Sequence, residues 1–225
     1  MFLFLSHFVL VFLSSDLPFV TDMDLAVVIS ATSPNAGVNF AKIKEIIQEV
    51  IAMYGVQRVY YSVILFGRDP TIRIRFNQQF TEDNLRRSID LLPRPSSGVS
   101  LDAALQKAKD TFDEGGRSNS RKVVIVVVDQ KSDSSVSDVK KAAGYLEEDG
   151  IKVIPVAFGK DAEPDEMAAT TTNKANVIQA NETSDPKNVA KDIVDKVAEG
   201  MKEKYYMPAM CVFQSMASIH PSSGI

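Results

Sequence analysis

The chain has 225 residues, 45% hydrophobic and 24% charged, with no Trp, which is the composition of a soluble globular protein built as one large α/β domain or two small ones. Its formal net charge of -4 argues against a sequence-independent nucleic-acid binder, which needs a basic surface. The single cysteine, Cys211, excludes a disulfide within this sequence and leaves a free thiol, an intermolecular bridge or a half-pair as its readings.

Residues 1–20 form an apolar N-terminal segment. The run Phe2 to Leu13 matches the hydrophobic region of a signal peptide and is too short to span a bilayer. No Lys or Arg precedes it, and cleavage after Ser14 or Ser15 would leave bulky Phe12 or Leu13 three residues upstream. The alternatives are a mispredicted first exon or an extra apolar segment packed on the domain.

From Asp24 the pattern becomes regular. Asp24-Leu-Ala-Val-Val-Ile-Ser30 is a nearly continuous apolar run, as expected of a strand buried on both faces of a parallel sheet. Between Asn39 and Tyr54 the apolar residues Phe40, Ile43, Ile46, Ile47, Val50 and Met53 recur at helical spacing, and Gly55 closes the helix. Residues 58–66 read as a second strand and 71–76 as a third. The third alternates strictly, so it is expected to be an antiparallel edge strand with Arg73 and Arg75 outward, where they also blunt edge-to-edge pairing.

Helices are expected over 81–92, with Thr81 as cap, and over 100–112, separated by Pro93, Pro95 and a Ser-Gly loop. Lys122 to Val128 is the most hydrophobic strand, five valines and an isoleucine before Asp129, and belongs at the centre of the sheet. A helix over 136–148, a strand over 151–158, a short helix over 165–169, a strand over 176–179 and a helix over 186–201 complete the series. Residues 205–225 have no clear period and read as a tail. Strands alternating with helices imply right-handed βαβ units: a doubly wound, Rossmann-like α/β fold whose mostly parallel, six-stranded sheet has one antiparallel edge strand and helices on both faces.

In such a sheet ligands bind beyond the carboxyl ends of the strands. Three segments are expected to converge there: Ser30-Ala-Thr-Ser33, Ser97-Gly-Val-Ser100 and Asp129-Gln-Lys-Ser-Asp133. The candidate ligand-binding face is therefore Ser30, Thr32, Ser33, Ser100, Asp129 and Asp133. A hydroxyl-rich turn beside a strand-end aspartate is also what an octahedral Mg²⁺ site uses. Without a cation, Asp129 reads as a carboxylate satisfied by Ser30, Thr32 or backbone amides. Catalytic motifs are missing: the two histidines, His7 and His220, lie outside the periodic region, and no Gly-x-Gly-x-x-Gly or Walker loop follows the first strand.

The stretches Asp24-Leu-Ala-Val-Val-Ile-Ser-Ala-Thr-Ser33, Ser97-Gly-Val-Ser-Leu-Asp-Ala-Ala-Leu105 and Lys122-Val-Val-Ile-Val-Val-Val-Asp129 resemble, in order and spacing, the signature stretches of von Willebrand factor type A domains. Gly150-Ile-Lys-Val-Ile-Pro-Val-Ala-Phe-Gly159 resembles the family's next strand, and the likeness runs from about Asp24 to Met201 within a domain set at 21–204. The resemblance implies a metal-ion-dependent adhesion site whose first loop reads Asp-x-Ser-x-Ser, with a Thr from the second loop and an Asp from the third. Position by position, Ser30 stands for the first Asp, Thr32 and Pro34 for the two Ser, and Val99 for the Thr, while Asp129 alone keeps its carboxylate. Ser100 would substitute for the Thr if its loop shifted.

Mg²⁺ relies on carboxylates and well-placed hydroxyls. Ser30 supplies no charge, Pro34 no hydroxyl and Val99 only methyls. No cofactor is expected; a residual Mg²⁺ or Mn²⁺ site would have to use Ser30, Thr32 and Asp129, with Asp133 or Asp69 at its rim.

Asn181-Glu-Thr183 is an N-glycosylation sequon. Together with the N-terminal segment it favours a secreted protein. Cys211 sits where the resemblance implies one half of a disulfide joining the domain's ends, but the other half, before Asp24, is absent. The function implied is a non-enzymatic adhesion module of extracellular matrix type, binding a protein partner without a metal through the loops at the carboxyl end. A second candidate surface is the face carrying Arg68, Arg86, Arg87 and Arg94, which would meet acidic partners. The rival readings are a metal-dependent hydrolase using Asp129 and a structural spacer.

Overall fold

A computed structural model describes residues 22–199 apart from residues 79 and 96; the apolar N-terminal segment, Cys211 and the C-terminal tail lie outside the described residues. Six strands, β1 (Met23–Ile29), β2 (Val59–Leu65), β3 (Thr71–Ile74), β4 (Arg121–Val128), β5 (Lys152–Phe158) and β6 (Ile178–Ala180), form one sheet in the order β3-β2-β1-β4-β5-β6. All neighbours run parallel except β2 and β3, so the strictly alternating segment is indeed the antiparallel edge, with Arg73 and Arg75 exposed. The chain winds outward from β1 through β2 and then crosses to β4, which places the switch point between β1 and β4.

The helices are α1 (Ala36–Tyr54), α2 (Glu82–Asp90), α3 (Leu101–Gly115), α4 (Val136–Glu148), α5 (Pro164–Ala168) and α6 (Pro186–Ala198). Strand period sorts the core into two layers. Leu25, Val27 and Ile29 of β1 pack with Phe40, Ile43 and Ile47 of α1 and Ile193 and Val197 of α6. Ala26 and Val28 face the other way, onto Leu105 and Ala108 of α3, Val139 and Leu146 of α4 and Met167 of α5. β1 and β4 are buried on both faces, which is why they read as unbroken apolar runs.

Local chemistry sets the ends of the elements. Thr81 caps α2 by accepting from the Asn84 N–H, and Ser135 and Asp185 cap α4 and α6 in the same way. The last strand departs from expectation. Asn173 accepts from the Ala175 N–H at 3.0 Å and winds Lys174–Asn176 into a 3-10 turn, so β6 begins at Ile178 rather than at Asn176.

The amino-end pole of the sheet is held by two arginines. Asp24 is fully buried, and Arg117 reaches it with its Nε at 2.8 Å, donates from Nη2 to the carbonyls of Met23 and Arg58, and stacks over Tyr60 with its Cζ 3.8 Å from the ring centroid. Arg121 joins the two ends of the domain: its N–H donates to the Asp22 carbonyl at 2.8 Å, and its guanidinium donates to the Val197 carbonyl at the end of α6. Among the described residues no helix is long and apolar enough to cross a membrane.

Removing Arg117 strands a buried charge, so Arg117→Ala is expected to lower unfolding free energy by about 3 kcal/mol in urea titrations. Arg58, whose side chain is 59% exposed in its ion pair with Asp22, should cost under about 1 kcal/mol on the same substitution.

Candidate functional site

At the carboxyl pole the β1–α1 loop closes over the end of β4. Ser30 extends the ladder, its N–H donating to the Val127 carbonyl at 2.9 Å, so its side chain is fully buried beside the central strand. The chain then curls, and the Thr32 and Ser33 amides turn inward. Asp129, 0% exposed, receives four groups there. The Thr32 N–H donates to Oδ1 at 2.9 Å, the Ser33 N–H lies 3.3 Å from both oxygens, and the Ser33 hydroxyl donates to Oδ2 at 2.7 Å. Asn39, from the first turns of α1, gives its Nδ2 to Asp129 Oδ2 at 3.2 Å and to Ser33 Oγ at 3.0 Å.

Of the partners expected for Asp129, backbone amides supply the contact, those of Thr32 and Ser33, joined by the Ser33 hydroxyl and Asn39. The Ser30 and Thr32 hydroxyls, the other partners expected, are buried without a hydrogen-bond partner.

A second knot lies between the α2–α3 and β4–α4 loops. The Asp133 N–H donates to the Val99 carbonyl at 2.8 Å, and the Val99 N–H donates back to Asp133 Oδ2 at 3.1 Å. Ser132 donates its hydroxyl to the same carbonyl at 2.8 Å and accepts from the Leu101 and Ser134 amides. Asp133 is thus occupied by Val99 rather than by the Asp129 cluster. Ser100 is turned to a third neighbour, its N–H donating to the Gly67 carbonyl at 3.0 Å, and its side chain makes no capping bond to α3.

Beneath Ser132 sits a carboxylate with no counterpart among the expected residues. Glu166 of α5 is 2% exposed and accepts from the Ser132 N–H at 2.9 Å. Burial pushes its pKa above the ordinary carboxylate value, partly offset by the hydrogen bonds from Ser132 and by nearby Lys131, with Glu163 adding a smaller upward push.

Beside the Asp129 cluster opens a cleft of about 660 Å³, lined by Asn35, Asn39, Gly159, Lys160, Gln179 and Asn181 among others. Gly159 adopts φ +82°, and a Cβ there would stand 3.6 Å from Asn39 Nδ2. Asn181 is exposed on the β6–α6 loop, its Oδ1 accepting from the Thr183 N–H and hydroxyl.

A hard divalent cation wants open carboxylate oxygens at near-octahedral positions. Here both oxygens of Asp129 already accept protein donors, Val99 is wholly buried, and the two free hydroxyls bring no charge. The residues present do not fit the cation that the resemblance implies.

Losing a donor to the buried Asp129 charge should be costly, so Asn39→Ala and Ser33→Ala are each expected to destabilise by about 2 kcal/mol in urea unfolding. Glu166 has a folded-state pKa above its unfolded one, so the stability tied to its bound proton is full in acid and is lost as pH rises through the folded value. Glu166→Gln retains an acceptor for Ser132 but cannot ionise. Its melting temperature should match the parent near pH 4 and exceed it at neutral pH. A variant less stable at neutral pH would mean that Ser132 and Lys131 outweigh the cost of burying the charge.

A family model for the von Willebrand factor type A domain matches residues 24–196. Among solved structures, proximal thread matrix protein 1 from the mussel byssus is similar at TM-score 0.72 and 20% identity, covering 79% of this chain and 48% of that one. The chain thus spans about half the length of the byssus protein, which has also been solved with a zinc-occupied MIDAS motif. The manganese-loaded TRAP protein of Plasmodium vivax is similar at TM-score 0.66 and 15% identity, covering 78% of this chain and 73% of that one. An aerotolerance-related membrane protein from Bacteroides fragilis gives 0.58 at 13% identity, over 79% and 98%. Strand order, switch point and loop arrangement agree with the family match, and the chain belongs to the von Willebrand factor type A domain family.

Proposed function

We propose that the domain is a non-enzymatic protein-binding module of the extracellular matrix or cell surface, engaging its partner through the loops at the carboxyl pole without a divalent cation. The observation that supports this reading is the engagement of Asp129: both of its carboxylate oxygens already accept from amides or hydroxyls of the protein itself. The same enclosure leaves Asp129 no access to a substrate proton and speaks against a hydrolase. The byssus matrix protein and TRAP share the fold, and a matrix or surface role is carried to this chain as part of the proposal. In that setting Asn181, exposed in its sequon, is proposed to bear an N-glycan at the rim of the cleft. Ser30, Ser33 and Asp129 are buried beneath the pole and Thr32 and Ser100 are half-buried, while Pro34, Asn35, Gly37, Val38, Ser97 and Asp133 are exposed on it.

Calorimetric titration of Mg²⁺ and Mn²⁺ into the full chain is expected to give no saturable heat, with Asp129→Ala behaving alike. Saturable binding lost in Asp129→Ala would overturn the metal-free reading. Retention on immobilised matrix proteins should be the same in EDTA as in Mg²⁺, and Ser97→Trp should abolish it by blocking the pole. Retention that survives Ser97→Trp would place the partner elsewhere.

A further inference from the structure

Two arginines bound the mouth of the carboxyl pole. Arg68 follows β2, and a Cβ on Gly98, which sits at φ +88°, would stand 3.3–3.6 Å from its N, Cα and Cβ, so the backbone of Arg68 is fixed against the α2–α3 loop. Arg94 leaves that same loop and brings its Nη1 to 3.9 Å from the Cβ position of Gly37, in the first turn of α1. Both are exposed, and among the described residues neither is paired with a carboxylate. Asp69, next to Arg68 in the turn, is exposed but does not pair with it.

Their surroundings add positive potential. α1 has 19 residues and neither an acidic residue in its first turn nor a side-chain cap from Asn35, so its own first turn carries no acidic side chain where Arg94 lies. The carboxylate at the floor, Asp129, is enclosed by its own donors. Of the other arginines of the face, Arg86 is 3.6 Å from Glu82 one turn away, and Arg87 lies in the last turn of α2 rather than on a loop of the pole.

We infer that Arg68 and Arg94 receive the carboxylates of an acidic segment of the partner protein at the mouth of the carboxyl pole. The inference rests on the protein-binding reading above and gives that partner its chemistry. Guanidinium groups present a planar fork that matches carboxylate oxygens two at a time. Two such forks on a chain of net charge -4 suit a short acidic peptide; a long polyanion would need an extended basic stripe to offset repulsion from the rest of the surface.

The test is fluorescence anisotropy of a labelled short poly-glutamate peptide with the full chain at low ionic strength. Saturable binding is expected, weakening with salt and weakened about tenfold when Arg68→Ala and Arg94→Ala are combined. Arg73→Ala, on the outer edge of β3, should leave it unchanged, and all variants should keep the parent's unfolding midpoint because the side chains removed are exposed. No saturable binding, or equal binding by the double variant, overturns the proposal. Heparin that binds more tightly than the peptide through the same two arginines also overturns it, by making the ligand a sulfated polysaccharide. Matrix retention intact in the double variant but lost in Ser97→Trp sinks this assignment alone; retention intact in Ser97→Trp moves the partner away from the carboxyl pole and sinks the pole-binding reading beneath it.

Discussion

A carboxylate shut away from water must find donors or keep a proton, and the carboxyl pole of this domain is organised around meeting that demand at Asp129. The end of β4 lies deep between β1 and β5, with no solvent to share the charge. The β1–α1 loop therefore turns its Thr32 and Ser33 amides inward, the Ser33 hydroxyl points down, and α1 begins close enough for Asn39 to reach across. That arrangement fixes the start of α1, which in turn forms one wall of the cleft and sets the first turn beside Arg94. At this pole both oxygens of Asp129 are engaged by the chain's own polar groups.

The molecule handles its buried acids in three ways. Asp24 at the opposite pole takes a full ion pair, with Arg117 anchored by two carbonyls and an aromatic face. Asp129 takes neutral donors alone. Glu166 takes the Ser132 backbone amide, which only partly offsets the upward push of burial on its pKa. The first solution is rigid and expensive to disrupt, the second is specific in geometry, and the third leaves a group whose charge state depends on its medium.

Much of the architecture was legible because strand period and burial leave a direct trace in the residues. The unbroken valines of β4 and the alternation of Thr71 to Phe76 each state which faces are dry. The fine structure of the site was not legible, since it rests on contacts across long stretches of chain. Asn39 is 90 positions from Asp129 and sits in a helix where a polar residue reads as ordinary surface. Glu166 lies in the run Glu163-Pro-Asp-Glu166, which looks solvated, and only the docking of α5 against the β4–α4 loop buries it. Arg117 lies in a Gly, Ser and Asn stretch that has every mark of a surface loop. The two-residue delay of β6 follows from the Asn173 side chain, a local competition for backbone donors that composition alone does not resolve.

Arg121 has one more implication. It touches the strand entering the domain at Asp22 and the helix leaving it at Val197, so both connections meet at the pole opposite the proposed contact surface. A pull applied through the two chain ends would be borne across that one residue and the adjacent rims of β1, β4 and α6. The loops at the far pole lie outside the line of force. Tension would thus peel the domain from its anchored end first, and a bound partner would not feel the load until that anchor had given way.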